Sequence, residues 1–227
     1  MMEEGGIYIV VPAYNEEPAI HDVVRDLRAL FPNVVVVDDG SADATAAEAR
    51  RAGAVVVQHL LNRGQGAALQ TGIDYSVGRG ADIVVTFDAD GQHRVEDIPR
   101  LIEALERHGS DVAIGSRFLG LESNMPAPRR LLLRTAARLM RVTSGVALTD
   151  AHNGLRAMRR GAAERIHLTI DGMAHASELV DQIDRLRLTV TEVPVVIHYS
   201  DYSLQKGQSG LAAFRIAFDY LMKRLFR

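Results

Sequence analysis

Two aspartates one residue apart, Asp88 and Asp90, end the apolar run in VVTFDADGQH, and Gln92 follows at the same spacing. On an extended backbone, residues two apart point to the same side, so the carboxylates converge. Like charges that close raise one another's pKa unless something positive neutralises them. A solvated acidic turn, a phosphoacceptor pocket and a metal site are the chemistries open to such a pair. A second acidic cluster, Asp38 and Asp39 in VVVVDDGS, ends another apolar run, although Asp-Gly alone is an ordinary turn signal. Two clusters from separate strand ends converging on one rim favour the metal. Mg²⁺ and Mn²⁺ prefer oxygen ligands, and Mg²⁺ often takes one or two carboxylates and fills its shell with substrate phosphates. Asp88, Asp90 and Gln92 make a hard, incomplete site of that kind, which points to a nucleotide-linked substrate.

The elements that must hold these residues are short apolar runs alternating with helical patterns. IYIVV (7–11), VVVVD (34–38), AVVVQ, ADIVVTF and the run inside SDVAIGSRF predict five strands. Helices are expected from PAYNEE toward Leu30, through ADATAAEARRAG, from Gly64 to Val77, and from Val95 to His108. Continuous apolar strands separated by helices indicate a parallel sheet covered on both faces. In such sheets ligands bind beyond the carboxyl ends of the strands. Tyr14, Asn15 and Glu16 follow the first strand there, and Arg117 follows the fifth. The phosphoacceptor arrangement fails, because the acidic pair follows the second strand and no lysine ends the fifth. The second half is less regular: a basic segment PRRLLLRTAARLMR, a loop TDAHNGLRAM, a helix around MAHASELVDQIDRL and a strand VTEVPVVIHY.

The chain has 227 residues, 47% hydrophobic and 24% charged, which suits one large α/β domain with a sizeable core. A net charge of −3 argues against nucleic acid as a partner. There is no cysteine, so disulfides and thiolate zinc sites are excluded. The start MMEEGG lacks the basic and apolar regions of a signal peptide, and no apolar run reaches the roughly 18 residues that span a bilayer. A cytoplasmic protein is expected.

VVPAYNE, VVVVDDGSADAT, NRGQGAALQTGI, FDADGQH and IGSRF resemble, in that order, the signatures of family 2 glycosyltransferases. At DADGQH and GSRF the resemblance is to the polyprenyl-phosphate (dolichol-phosphate) mannosyl- and glucosyltransferase branch. It covers nearly the first 120 residues and continues more loosely through NGLRAM and EVPVVIHY. It implies a GT-A fold: α/β, a single Rossmann-like domain over 1–227 with a mostly parallel central sheet flanked by helices. Residues 1–120 would bind the nucleotide sugar, and 121–227 would form the acceptor half, ending in an amphipathic helix. An inverting mechanism, a nucleoside-diphosphate sugar and Mn²⁺ or Mg²⁺ are implied as well.

By position, the resemblance puts Pro12, Tyr14, Glu16 and Asp39 around the nucleotide, with Asp39 accepting a hydrogen bond from the base. Uracil and guanine both offer ring N–H donors, so GDP-mannose and UDP-glucose both remain open. Asp88 and Asp90 match the family's DxD motif for metal and donor, with Gln92 a further ligand and Asp90 essential for transfer. Arg117 would face a phosphate. Lys206 in YSLQKGQS resembles the basic residue of a loop that closes over the diphosphate, although the branch's usual arginine just upstream is missing. Glu178 in MAHASEL falls near the position of the family's catalytic acid. A hydroxyl acceptor needs a general base, whereas a phosphate acceptor is already an anion and needs none. The NRGQG glycines lack the lysine and spacing of a phosphate loop, and would permit a close helix start beside the donor.

A lipid phosphate is the first choice of acceptor, with mannose ahead of glucose; a sugar hydroxyl in polysaccharide or glycolipid assembly is the alternative. Sugar nucleotidyltransferases open with a Gly-rich, basic loop, whereas VVPAYNEE is acidic and glycine-free. Peripheral membrane contact is expected from two segments. PRRLLLRTAARLMR carries Arg129, Arg130, Arg134, Arg138 and Arg141 with no acid, and in the tail Leu211, Phe214, Phe218, Leu221, Met222 and Leu225 recur at helical spacing. Charge alone binds anionic lipid weakly, at about 1 kcal/mol per basic residue, so the apolar face must insert too.

Overall fold

The Val- and Ile-rich runs form strands because β-branched side chains pack well on a pleated surface. The fold was obtained as a computed structural model, which describes residues 6–119, 148–172 and 174–198. The strands are β1 (Ile7–Ala13), β2 (Asn33–Asp38), β3 (Val55–Gln58), β4 (Ile83–Thr86), β5 (Val112–Ser116), β6 (Arg156–Arg159) and β7 (Val190–Pro194). The helices are α1 (Glu17–Leu30), α2 (Thr45–Arg51), α3 (Gln65–Gly78), α4 (Asp97–His108), α5 (Arg160–Ala163) and α6 (His175–Arg185). One sheet runs β3-β2-β1-β4-β6-β5-β7. Every pairing in it is parallel except those of β6, which runs antiparallel to both β4 and β5.

Alternation along the strands divides the core between two faces. Ile9, Val11, Val34, Val36, Ile83 and Val85 meet Ile20, Val24 and Leu27 of α1 and Ile98, Leu101 and Leu105 of α4. On the other face Val10, Val84, Val112, Ile114 and Met158 meet Leu69 and Ile73 of α3 and Leu179, Val180 and Ile183 of α6. Pro18 opens α1, where its missing N–H costs nothing, and Gly109 closes α4 in the left-handed conformation at φ 60°.

The expected loop TDAHNGLRAM requires correction. Its end is the strand β6, inserted between β4 and β5. Arg-Ala-Met-Arg carries no apolar run, and both strands that flank it lie earlier in the chain, so pairing rather than composition makes it a strand. The basic segment at 128–141, Lys206 and the expected tail helix at 211–227 lie outside the described residues. Among the described residues no helix is long and apolar enough to cross a membrane.

Candidate active site

β1 and β2 end side by side, with Ala13 paired to Asp38, so the loops that follow are knitted together. The Asn15 and Glu16 amides donate to Ser41 Oγ and Thr45 Oγ1, and the Asn15 side chain accepts from the Ala42 amide. Asn15 takes φ 52°, a left-handed value that asparagine tolerates better than most residues. Pro12 is buried in β1, Glu16 is buried at the start of α1, and Tyr14 stands 45% exposed on the rim.

Asp39 is buried, and its neighbours hold it firmly. Its Oδ1 accepts from the Arg63 amide (3.0 Å) and pairs with His59 Nδ1 (2.7 Å), while Oδ2 accepts from the Gly64 amide (2.6 Å). The far side of the His59 ring meets Thr71 Oγ1 at 2.9 Å. His59 was not singled out from the sequence, although it stands just past the end of β3, where rim residues are expected.

Asp88 and Asp90 lie just beyond β4 in unlike surroundings. Asp88 Oδ2 is 3.0 Å from His93 Nε2, and Oδ1 accepts from Gln65 Nε2 at 3.3 Å. The His93 ring packs on Phe87 with centroids 5.5 Å apart, and its backbone bridges to Ile197, so it orients Asp88 and ties down the turn together. Burial pushes Asp88 upward, but His93, Arg156 and His175 outweigh it and hold the carboxyl below the ordinary 3.8. Asp90 is shifted the other way, raised by burial and then by Asp88, with Glu16 adding to the effect. Its partners are the amide and side chain of Gln92. One acid is compensated by the protein and the other is not.

That asymmetry suits a hard divalent cation. Two carboxylates and a neighbouring amide side chain offer oxygen donors of the type Mg²⁺ and Mn²⁺ prefer. Among the described residues no group of three or more His, Asp or Glu forms a complete cage. Asp88, Asp90 and Gln92 are the residues that could hold such a cation.

Arg117, at the end of β5, is buried against Asp150. Its Nε and Nη2 donate to Oδ2 and Oδ1 at 2.6 Å each, and its amide also donates to Oδ2 at 3.1 Å. Asn153 Nδ2 adds a contact at 3.3 Å. Burial would raise the Asp150 carboxyl, but Arg117 more than offsets it and leaves it below the ordinary value. Arg156 and His175, neither foreseen from the sequence, lie in the same charged cluster. Burial, then Arg156, pushes His175 down to about 4, so it is neutral at physiological pH.

Glu178 is on α6 with its carboxylate turned onto a neighbouring loop. It accepts from the Thr169 hydroxyl (2.6 Å), the Thr169 amide (3.0 Å) and the Ile170 amide (2.8 Å). The next residue of that loop, Asp171, accepts from the Gly66 amide through its carbonyl at 2.7 Å. A Cβ on Gly66 would stand 2.1 Å from the Ile170 carbonyl oxygen, so glycine is required for this contact. Glu178, the 169–171 loop, the NRGQG turn and Asp39 thus form one continuous support.

Comparison with known proteins agrees with this geometry. Residues 8–167 match the family model "Glycosyl transferase family 2". A UDP-N-acetylglucosamine–dolichyl-phosphate N-acetylglucosaminyltransferase of Methanococcus voltae is 30% identical, with 96% of each chain covered. A polyprenol monophosphomannose synthase of Mycolicibacterium smegmatis is 34% identical over 87% of this chain and 79% of its own. In structure, glucosyl-3-phosphoglycerate synthase from Mycobacterium tuberculosis superposes with a TM-score of 0.74 at 21% identity, over 95% of this chain and 77% of that one. That likeness establishes the GT-A fold. Sequence motifs, matched family and fold agree: the chain belongs to glycosyltransferase family 2 and is a hexosyltransferase.

Proposed function

We propose that the chain is an inverting, metal-dependent enzyme that moves a hexose, mannose ahead of glucose, from GDP or UDP to a polyprenyl phosphate. The observation that carries this reading is the unequal acid pair beyond β4, where Asp88 is compensated by His93 and Arg156 while Asp90 is not. A cation bound there, by Asp88, Asp90 and Gln92, would neutralise the donor diphosphate and stabilise it as a leaving group. Pro12, Tyr14 and Glu16 line the nucleotide side, and Asp39 accepts from the ring N–H of the base. Arg117, whose Nε and Nη2 are held by Asp150, and Lys206, outside the described residues, would add positive charge toward the phosphates. The acceptor phosphate oxygen forms its bond to the anomeric carbon as the bond to the diphosphate oxygen breaks on the opposite side, which inverts the centre.

The acceptor class is supported by the two relatives, whose names share a polyprenyl phosphate and differ in the sugar. Use of Mn²⁺ is supported by the structural neighbour, crystallised with Mn²⁺ and UDP. Placement on the cytoplasmic face of a membrane follows as part of the proposal, because the acceptor lives there.

Under this reading Glu178 has no proton to remove, and its two oxygens serve the 169–170 loop. Glu178→Gln keeps one acceptor oxygen for the two amides but removes the charge and turns the other position into a donor toward the Thr169 hydroxyl, so a loss of about 1 kcal/mol is expected. In a chain of this size each kcal/mol lowers Tm by roughly 2–4 °C. An unchanged Tm, with transfer slowed by about 10² or more, would instead identify a base and a hydroxyl acceptor.

The deciding experiment offers radiolabelled GDP-mannose, UDP-glucose and UDP-N-acetylglucosamine with Mn²⁺ to the full chain. Polyprenyl phosphate in detergent and soluble sugars serve as competing acceptors. Label is expected in the organic phase as a lipid-linked sugar phosphate. Transfer only to sugar hydroxyls, or donor hydrolysis alone, overturns the acceptor assignment.

A further inference from the structure

The acid just past β2 is gripped by the loop that leaves the neighbouring strand. His59 follows β3 and clasps the end of β2 twice. Its amide donates to the Asp38 carbonyl at 2.9 Å, and its ring Nδ1 lies 2.7 Å from Asp39 Oδ1. An ionised carboxylate only accepts, so Nδ1 carries the hydrogen of that contact. With the Arg63 and Gly64 amides, three donors meet a carboxylate that can accept about four, two of them on Oδ1 and one on Oδ2. Capacity for one more therefore lies on Oδ2. The loop is seated closely on the turn after Asp39. A Cβ on Gly40 would stand 2.7 Å from both the Leu61 carbonyl carbon and the Asn62 amide nitrogen. Burial within this loop runs against hydrophobicity. The His59 side chain is 9% exposed, whereas Leu60 and Leu61 beside it are 100% and 76% exposed. Apolar burial alone would turn a leucine inward, so the ring is placed by its polar partners. Its far nitrogen meets Thr71 Oγ1 on α3 at 2.9 Å. The same helix begins with Gln65, which donates to Asp88 Oδ1.

We propose that His59 is a positioning residue for the donor's base: its ring occupies Asp39 Oδ1 and braces the carboxylate against α3, so that Oδ2 is held for the base N–H. The inference rests on reading Asp39 as the acceptor for that base. His59 acts through Asp39, not on the reacting atoms.

The test measures, by calorimetry with Mn²⁺ present, the binding of UDP, GDP and inorganic pyrophosphate to the full chain. Wild type is compared with His59→Leu, His59→Asn, Thr71→Val and Asp39→Asn, and Tm is recorded for each. His59→Leu is expected to weaken the nucleotide that wild type binds more tightly by about tenfold, the scale of one hydrogen bond to a charged group. Pyrophosphate, which has no base, should bind as it does to wild type. His59→Asn, whose amide can donate where Nδ1 did, should recover most of the loss. A structural role alone would lower Tm and leave the nucleotide and pyrophosphate affected alike. Wild-type nucleotide affinity in His59→Leu, or an equal loss for pyrophosphate, overturns the inference. If that variant does not fold, Thr71→Val, which frees the far side of the ring, is judged by the same criterion. Wild-type nucleotide affinity in Asp39→Asn instead overturns the reading of Asp39 as the base acceptor, so the two failures are distinguishable.

Discussion

Asp90→Ala is expected to lose transfer by about 10²–10⁴-fold, the several kcal/mol that a cation contributes at a developing negative charge. Nucleotide affinity should fall only when Mn²⁺ or Mg²⁺ is present, because Asp90 acts through the cation. Without metal, the variant should be at least as stable as wild type, since it removes a carboxylate that burial and Asp88 both disfavour. The same shift sets a pH dependence. A raised pKa means that Asp90 takes up a proton above the ordinary 3.8, and protons compete with metal for the carboxylate. Metal affinity should therefore decline on acidification before ordinary carboxylates titrate. Calorimetric titration of Mn²⁺ with nucleotide, repeated across that range, measures both effects. Wild-type turnover in Asp90→Ala would end the metal assignment.

Asp150→Asn should produce the largest loss of stability. It removes the anion that receives two Arg117 nitrogens at 2.6 Å and that also faces Arg156. Deleting one partner of a buried ion pair costs about 3–5 kcal/mol, because the other charge stays buried without compensation. For a chain of this length that corresponds to a Tm lower by about 10 °C. The pKa of Asp150 is depressed in the folded protein, so its contribution is present above the ordinary carboxylate pKa and is lost as pH falls through the lower folded value. Thermal melts at neutral pH and in acid test this: the gap between variant and wild type should be full at neutrality and shrink only in strong acid. A gap already closed at neutral pH would mean the pair contributes nothing.

What could be read from the sequence was local. The five runs from IYIVV to the one inside SDVAIGSRF are strands in the structure: β1, β2, β4 and β5 are apolar enough to be largely buried on both faces, and β3 covers the edge of β2 with its valines half-exposed. The two acidic clusters were legible for the same reason, since each sits within a few residues of a strand end. β6 was not, because a strand reading Arg-Ala-Met-Arg is defined by the neighbours it lies between. Distance along the chain hid the supports as well. His59 meets Asp39 across 20 positions, and Thr86 meets the Gly154 carbonyl across 68. Glu178 was singled out only through the family resemblance, and its partners Thr169 and Ile170 carry no signal, because the groups that bind it are mostly backbone amides.

The reversed strand also bears on the order in which the molecule can be assembled. β1 to β4 pair only among themselves until β6 is made, and with α1 and α4 they can bury one whole face during synthesis. β5 has no such opportunity. Both of its sheet neighbours, β6 and β7, lie downstream, so a fully buried strand leaves the ribosome ahead of the strands it pairs with among the described residues. Until β6 arrives, β4 keeps one open edge and β5 two, each a template for a neighbouring chain. Arrival of β6 closes the edge on β4 and one of those on β5, and β7 then closes the other. The segment that joins the strand before Asp88 to the strand before Arg117 is thus also the piece that covers an edge of each from neighbouring chains.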